Sequence, residues 1–234
     1  MSASLFLIPV TLGETAISKV LPAYNQSVIL SLRHFIVEDV RTARRFLKQT
    51  APDIVIDGLT FYTLNKHTSK EDLSDFLKPI DNGHSIGVIS EAGCPAVADP
   101  GAEIVAMAHQ KNIPVVPLVG PSSILLALMA SGFNGQNFAF QGYLPIDNNE
   151  RMNALKFLEQ RVYSENQTQL FIETPYRNAK LVEDMIKICK PSTKLCIAAD
   201  LSLDSEYIKT KSIREWKKQV PELSKRPCIF ALYK

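Results

Sequence analysis

Glu91 stands at the end of a short apolar run, Ile86-Gly87-Val88-Ile89, separated from it by Ser90 alone. A carboxylate just past a buried strand can accept hydrogen bonds from a ribose, or sit beside a cation. Gly93 permits close approach of backbone to a ligand, and Pro95 stiffens the turn. The whole stretch Ser90 to Gly101, SEAGCPAVADPG, is longer than the roughly 2–6 residues such a connection needs. Its second half serves the next element, since Asp99 as N-cap and Pro100 at the first helical position launch the helix that follows. Two further stretches hold similar chemistry. Ser122 and Ser123 open a helix, where they can hold a carboxylate or other anion or simply cap it. Glu173-Thr174-Pro175-Tyr176-Arg177 follows a strand and forms either one wall of a pocket or a capped turn. Arg41, Arg44 and Arg45 share a helix that can touch phosphates or present a solvated face.

These residues must be positioned by an alternation of strands and helices. Leu5 to Ile8, His34 to Val37, Ser85 to Ile89 and Pro114 to Leu118 are apolar runs, the pattern of strands covered on both faces. A helix over Asp39 to Gln49 and others after Gly101 and Pro121 alternate with them, which predicts a mostly parallel sheet. In the second half, strands at Phe138–Phe140, Gln169–Ile172, Lys194–Ala199, Glu206–Thr210 and Cys228–Leu232 follow one another with less helix between them. The expected fold class is therefore α/β in two α/β domains: an N-terminal domain over 1–119 with a mostly parallel sheet, and a C-terminal domain over 120–234 with a mixed sheet.

Bulk properties set wide bounds. The 234 residues are 46% hydrophobic and 21% charged with a net charge of +2, too mild to argue for or against a nucleic-acid partner. No apolar run is long enough to span a membrane. Met1-Ser2-Ala3-Ser4 lacks the basic region of a signal peptide and Leu5 to Val10 is too short for its apolar core, so a cytoplasmic protein is expected. Cys94, Cys189, Cys196 and Cys228 form no C-x-x-C pair and have no histidine cluster beside them, so no metal site is expected. Loop Pro9 to Glu14 contains no G-x-G-x-x-G, which argues against an ordinary dinucleotide fingerprint.

Together, and in this order, the loops resemble the tetrapyrrole methylase superfamily of S-adenosylmethionine enzymes. Within it the chain looks like the branch of ribosomal small-subunit RNA methyltransferases that act on the 2′-hydroxyl of a cytidine. That branch's S-D-A-G-T-P-x-x-S-D-P-G reads Ser90-Glu91-Ala92-Gly93-Cys94-Pro95-Ala96-Val97-Ala98-Asp99-Pro100-Gly101. Its E-D-T-R-x-T-R-R-L-L reads Glu38-Asp39-Val40-Arg41-Thr42-Ala43-Arg44-Arg45-Phe46-Leu47, its P-G-P-S-A reads Val119-Gly120-Pro121-Ser122-Ser123, and its E-S-P-H-R reads Glu173-Thr174-Pro175-Tyr176-Arg177. The glutamate at 91 is one methylene longer than the branch's aspartate, and Tyr176 stands in place of its histidine.

The resemblance implies two α/β domains with S-adenosylmethionine in the cleft between them, and a homodimer. It implies cofactor contacts from Leu12, Glu91, Gly93, Cys94, Ser123 and Ile124, with the segment Ala199 to Leu201 and Pro227 around the adenine. For an RNA of the small ribosomal subunit it implies phosphate contacts from Arg41, Arg44, Arg45 and Arg177, and stacking on Tyr143 or Tyr176. A ribose hydroxyl needs a base to take its proton, and Glu38, Asp39 and Glu173 are the candidates. Other acceptors, a tetrapyrrole or a modified protein side chain, and a binding module without turnover stay open on sequence alone.

Overall fold

A computed structural model describes residues 3–64 and 68–234. The chain divides into two compact units, residues 1–122 and 123–234. Each has its own five-stranded sheet.

In the first unit the order along the chain is β1 (Leu5–Ile8), α1 (Ile17–Val20), α2 (Ala23–Ser31), β2 (His34–Val37), α3 (Val40–Thr50), β3 (Thr60–Thr63), α4 (Lys70–Phe76), α5 (Lys78–Asp81), β4 (Ile86–Ile89), α6 (Gly101–Gln110) and β5 (Val115–Pro117). The sheet order is β3-β2-β4-β1-β5 and every pairing is parallel. All five carboxyl ends therefore lie on one edge. The strands feed two separate buried clusters, one with Ile8, Ile29, Phe35, Val37 and Leu47, the other with Leu5, Ile36, Leu77, Ile86 and Ile104. That double covering is why β1, β2 and β4 read as continuous apolar runs. α3 buries Ala43, Phe46, Leu47 and Thr50, a helical stripe, and the Asp39 carboxylate caps it by accepting from the Thr42 backbone N–H at 2.8 Å.

β1 and β4 are neighbours, but the chain leaves them in opposite directions. From β1 it crosses to β2 on the far side of β4, and from β4 it crosses to β5 on the far side of β1. The crevice outside their carboxyl ends is the switch point where open α/β sheets bind ligands.

The second unit runs α7 (Ser123–Ser131), β6 (Phe138–Tyr143), α8 (Asn148–Ser164), β7 (Thr168–Ile172), α9 (Asn178–Ile188), β8 (Lys194–Ala199), β9 (Tyr207–Ser212), α10 (Ile213–Trp216) and β10 (Cys228–Tyr233). Its order is β6-β7-β10-β8-β9, with β6 and β7 parallel and the other neighbours antiparallel. The strand latest in sequence thus sits at the centre. The core gathers Phe171, Phe230, Leu155, Val162, Met185 and Trp216, whose indole N–H donates to the Leu195 carbonyl at 2.8 Å. In the same unit Arg151 reaches the Asp184 carboxylate at 2.8 Å, with side chains 7% and 2% exposed. Lys180 joins from the solvent side at 3.0 Å. No helix of the described residues is long and apolar enough to cross a membrane.

Candidate functional site

At the switch point three loops of the first unit are tied to one another. The Gly93 carbonyl accepts from the Val10 backbone N–H at 2.9 Å and from the Ser90 hydroxyl at 2.9 Å. The Cys94 thiol donates to the Pro121 carbonyl at 3.4 Å. Gly93 has φ +71°, and a Cβ there would stand 3.1 Å from Leu12 Cδ2 and 3.3 Å from the Pro121 oxygen. A side chain at Gly93 would meet both neighbouring loops, so the glycine lets all three close on one floor. Leu12, Gly93 and Cys94, named from the sequence, are brought together here.

The remainder of the second loop is strained. Ala96 and Ala98 hold φ of 65° and 59°, a region that alanine seldom occupies. Asp99 is not the helix cap that its position predicts. Its Oδ1 accepts from the Ala96 N–H at 2.7 Å and the Gly101 N–H at 2.8 Å, so the side chain clamps the loop to the first residue of α6. Pro100 precedes the helix without a capping side chain. Burial pushes the Asp99 carboxyl above its ordinary range, against the pull of those two N–H groups.

Glu91 lies at the rim. The Thr42 hydroxyl on α3 donates to Glu91 Oε1 at 2.7 Å, which fixes one carboxylate oxygen and leaves the other open. Beside this pair runs a cleft of about 270 Å³, lined among others by Thr11, Glu14, Thr42, Arg45, Gln49 and Glu91. Sequence alone gives roles to Arg45 and Glu91; it places Thr11 and Glu14 in a candidate loop and Thr42 in a motif but gives none of them, nor Gln49, a role of its own. For Thr42 the available signal is its place on α3, one turn after the cap, facing the end of β4. Arg45 is at the cleft, Arg41 is exposed, and Arg44 stacks over the Phe61 ring at 5.3 Å.

The three candidate bases sit in different surroundings. Glu38 is pushed up by burial and by the carboxylates of Asp99 and Glu91, while the Glu91 backbone N–H pulls the other way. Asp39 is held down, chiefly by the Thr42 backbone N–H that it caps. Glu173 is buried and committed: it accepts from the Thr174 N–H at 2.6 Å and from both Nε (3.0 Å) and Nη2 (2.5 Å) of Arg177. Arg177 is thereby engaged within its own turn. Burial also raises the Cys94 thiol, which disfavours a thiolate nucleophile.

In the second unit, strand register places the other named segments along one sheet edge. Tyr143 pairs with Ile172, Ile172 with Ile229, and Cys228 with Ala199. Tyr143, Glu173 to Arg177, Pro227 and Ala199 to Leu201 all emerge there. Tyr143 and Tyr176 are 62% and 80% exposed, available for stacking. The Asp200 N–H donates to the Pro227 carbonyl at 3.0 Å, and Arg226 Nε to Asp200 Oδ2 at 2.7 Å. Asp200 and Ser202 hold φ of 51° and 68°, and the Ser202 hydroxyl oxygen is buried without a hydrogen-bond partner among the described residues. Ser123 and Ile124 form the first turn of α7.

Each unit, taken by itself, offers one observation on whether these residues suit S-adenosylmethionine: in the first, the floor at Gly93 that a Cβ would fill; in the second, the orphaned Ser202 hydroxyl, one residue past the segment assigned to the adenine. Both fit the group. A half-engaged carboxylate at Glu91 adds an acceptor for a ribose diol.

No family model matches the chain. It is 30% identical over 188 residues to the ribosomal RNA small subunit methyltransferase I of Vibrio cholerae serotype O1, covering 80% of this chain and 62% of that protein. It is also 30% identical to the protein of the same name from Haemophilus influenzae, over 70% of this chain and 58% of that one. The chain thus spans about three fifths of the length of these relatives. Among solved structures, the methyltransferase CobJ superposes over 100% of this chain and 95% of its own, with a TM-score of 0.64 at 15% identity. The uroporphyrin-III C-methyl transferase of Thermus thermophilus, complexed with S-adenosyl homocysteine, superposes over 99% of this chain and 98% of its own, with a TM-score of 0.56 at 14% identity. The motifs in the loops, the likeness to small subunit methyltransferase I and the shared two-sheet fold agree, and the resemblance of this chain to the tetrapyrrole methylase superfamily holds in both sequence and structure.

Proposed function

We propose that this chain is an S-adenosylmethionine-dependent methyltransferase whose acceptor is a ribose 2′-hydroxyl of small-subunit ribosomal RNA. The observation that carries the reading is the three-loop floor at the β1–β4 switch point, built from the motifs that resemble those of the RNA-methylating branch. One fold neighbour is named for uroporphyrin-III, but at 14–15% identity these structures support the fold alone, whereas the 30% likeness extends over most of the chain. An RNA acceptor of this kind implies a cytoplasmic protein. The reading also carries a homodimer, for which Leu125 and Met129, 51% and 77% exposed on successive turns of α7, offer an apolar face; the mass in solution is its check.

The cofactor supplies a methyl group on an electrophilic sulfonium. The residues of this chain align, dehydrate and deprotonate. Gly93, with Leu12 and Cys94 beside it, gives a backbone floor on which an amino-acid moiety can lie. Glu91, steadied by Thr42, accepts from a ribose diol with its free oxygen. Ser123 and Ile124 present backbone N–H groups at the start of α7, and Leu201 and the exposed Pro227 flank the segment proposed for an adenine, whereas Ala199, named with them from the sequence, is fully buried in the core of its unit and acts there as packing. Arg41 and Arg45 reach for phosphates, and Tyr143 and Tyr176 offer rings for an unstacked base. Arg44 and Arg177 have partners within the protein and contribute less.

Glu38 is the base that this site favours, because its carboxyl is shifted toward the pH where a base works while Asp39 is held down and Glu173 is paired. A raised carboxyl must lose its proton before it can accept one. kcat/KM is therefore expected to rise with pH through a value above the ordinary carboxylate range, and Glu38→Gln is expected to remove that limb and lower kcat by about 10²-fold or more, with cofactor affinity unchanged. A pH profile of the variant that retains the limb would exclude Glu38.

The reading as a whole is tested by calorimetry with S-adenosylhomocysteine, followed by transfer of labelled methyl groups to small ribosomal subunits. Wild type is expected to bind in the micromolar range, and Glu91→Ala to weaken binding by about tenfold, equivalent to roughly 1.4 kcal/mol. Binding with transfer to a porphyrin instead of subunits would move the acceptor and leave the enzyme class in place.

A further inference from the structure

The mild net charge of the chain hides an uneven division. Residues 1–122 sum to −2, whereas residues 123–234 hold 16 of the 26 Lys and Arg, against 12 of the 24 Asp and Glu, and sum to +4. Within the second unit the excess is local. The ten residues from Lys209 to Lys218, KTKSIREWKK, carry five cations and one carboxylate, a net +4 that accounts for the whole surplus of the unit.

These ten residues form the end of β9 and all of α10, with the two residues after it. β9 is the outermost strand of its sheet. Lys209 and Lys211 lie two apart and so share a face. Lys211 Nζ sits over the Trp216 ring, 4.7 Å from its centroid, and Trp216 is fully buried, so the cation is held by the core and not left to wander. Arg214, Lys217 and Lys218 are exposed on and just after α10. None of the five forms an ion pair among the described residues, in contrast to Arg151, Arg161, Arg177, Lys180 and Arg226 of the same unit. The one acid, Glu215, is turned back into a capping box, accepting from the Ser212 N–H at 2.9 Å and the Ser212 hydroxyl at 2.6 Å. Those Ser212 bonds are the main reason that its carboxyl lies below the ordinary range, and the charges of Lys211 and Lys218 add less.

Lysines on an edge strand also discourage edge-to-edge pairing. Lys209 and Lys211 meet that need by themselves. Arg214, Lys217 and Lys218 lie beyond the strand, where there is no ladder to protect, so the edge requirement leaves most of the patch unexplained. A cluster of cations without ion-pair partners among the described residues fits a polyanion such as a phosphate backbone.

We propose that the β9–α10 edge docks the phosphate backbone of the RNA, in addition to the Arg41–Arg45 helix and independent of base sequence. The proposal rests on the RNA reading above. The test is the affinity of the full chain for a synthetic RNA stem–loop as a function of potassium chloride. Three proteins are compared: wild type, Lys209→Gln/Lys217→Gln/Lys218→Gln, and a control with the same loss of charge elsewhere in the unit, Lys156→Gln/Lys187→Gln/Lys190→Gln. S-adenosylhomocysteine binding is measured in all three to show that the fold is intact.

The edge variant is expected to lower the slope of log K against log salt by roughly 2–3, since each lost phosphate contact removes about 0.7–0.9. At low salt it is expected to bind at least about tenfold more weakly. The control is expected to keep the wild-type slope. Equal losses in edge variant and control would reduce the effect to net charge and overturn the proposal. An unchanged slope in the edge variant, with or without a loss of binding to anionic vesicles, would overturn it too and leave the methyltransferase reading standing. Failure of wild type to bind the stem–loop at any salt, with cofactor binding intact, would remove both the docking surface and the RNA acceptor.

Discussion

Asp184→Leu is expected to destabilise the second unit by about 3–5 kcal/mol, the cost of stranding a buried cation. Asp184 is almost fully covered, and so is its partner Arg151. With the carboxylate gone, Arg151 would keep only neutral acceptors: the carbonyls of Pro145 and Ile146 and the side-chain oxygen of Asn148. Lys180 would swing into water, being half exposed already. The double variant Arg151→Met/Asp184→Leu should be more stable than Asp184→Leu alone, because an apolar pair removes the stranded charge. Chemical denaturation of the three proteins measures this, and a double variant no better than the single would show that packing and not charge sets the loss. The same pair gives a pH dependence. Burial raises the Asp184 carboxyl, but the hydrogen bonds and charges of Lys180 and Arg151 outweigh it and the net shift is downward. A group held below its unfolded value contributes stability that is present above that value, at about pH 3.9, and is lost as pH falls through the folded one. The wild type should therefore lose stability more steeply in acid than the double variant.

Gly93→Val is expected to have the largest effect on cofactor binding, a loss of about tenfold to a hundredfold in S-adenosylhomocysteine affinity, or roughly 1.4–2.8 kcal/mol. Two causes add. A β-branched residue at φ +71° is strained by roughly 1–3 kcal/mol. Its Cβ would also press on Leu12 Cδ2 and the Pro121 carbonyl, which belong to the other two loops. Neither the backbone oxygen nor the floor can yield without shifting the others, so the site should deform while the sheet beneath it survives. Calorimetry alongside thermal unfolding separates these outcomes. Unchanged affinity in a folded Gly93→Val protein would mean that the three-loop floor does not touch the cofactor.

Much of this is legible in the sequence where local pattern and burial coincide. β1, β2 and β4 are covered on both faces, so each is an unbroken apolar run, and the helix expected at 39–49 is observed as α3 over Val40–Thr50 because its apolar stripe and its Asp39 cap agree. β3, with the sequence Thr-Phe-Tyr-Thr, escapes such reading. It is a four-residue edge strand with half-buried aromatics between exposed threonines, and nothing in so short a polar-flanked stretch separates it from a loop. α9 escapes it too, because Glu173 to Arg177 draw the eye toward a turn, although Leu181, Val182 and Met185 mark a buried helical face. At the site, motif position finds Glu91 and Gly93. It cannot find the Thr42–Glu91 bond, whose partners are 49 residues apart in sequence and meet only once α3 packs over the end of β4. The roles of Glu173 and Arg177 as each other's partner are likewise hidden, since residue types alone do not say whether a carboxylate is free.

The central place of β10 bears on how the second unit comes to be made. β6 and β7 can pair as soon as both exist, and so can β8 and β9, but the two pairs touch only through β10. During synthesis the first unit has its five strands in hand while the second is still two separate ribbons, each with an open edge. Those edges stay exposed to wrong partners until Cys228 to Tyr233 leaves the ribosome and closes the gap, so the period of greatest vulnerability to aggregation falls at the very end of translation of this unit.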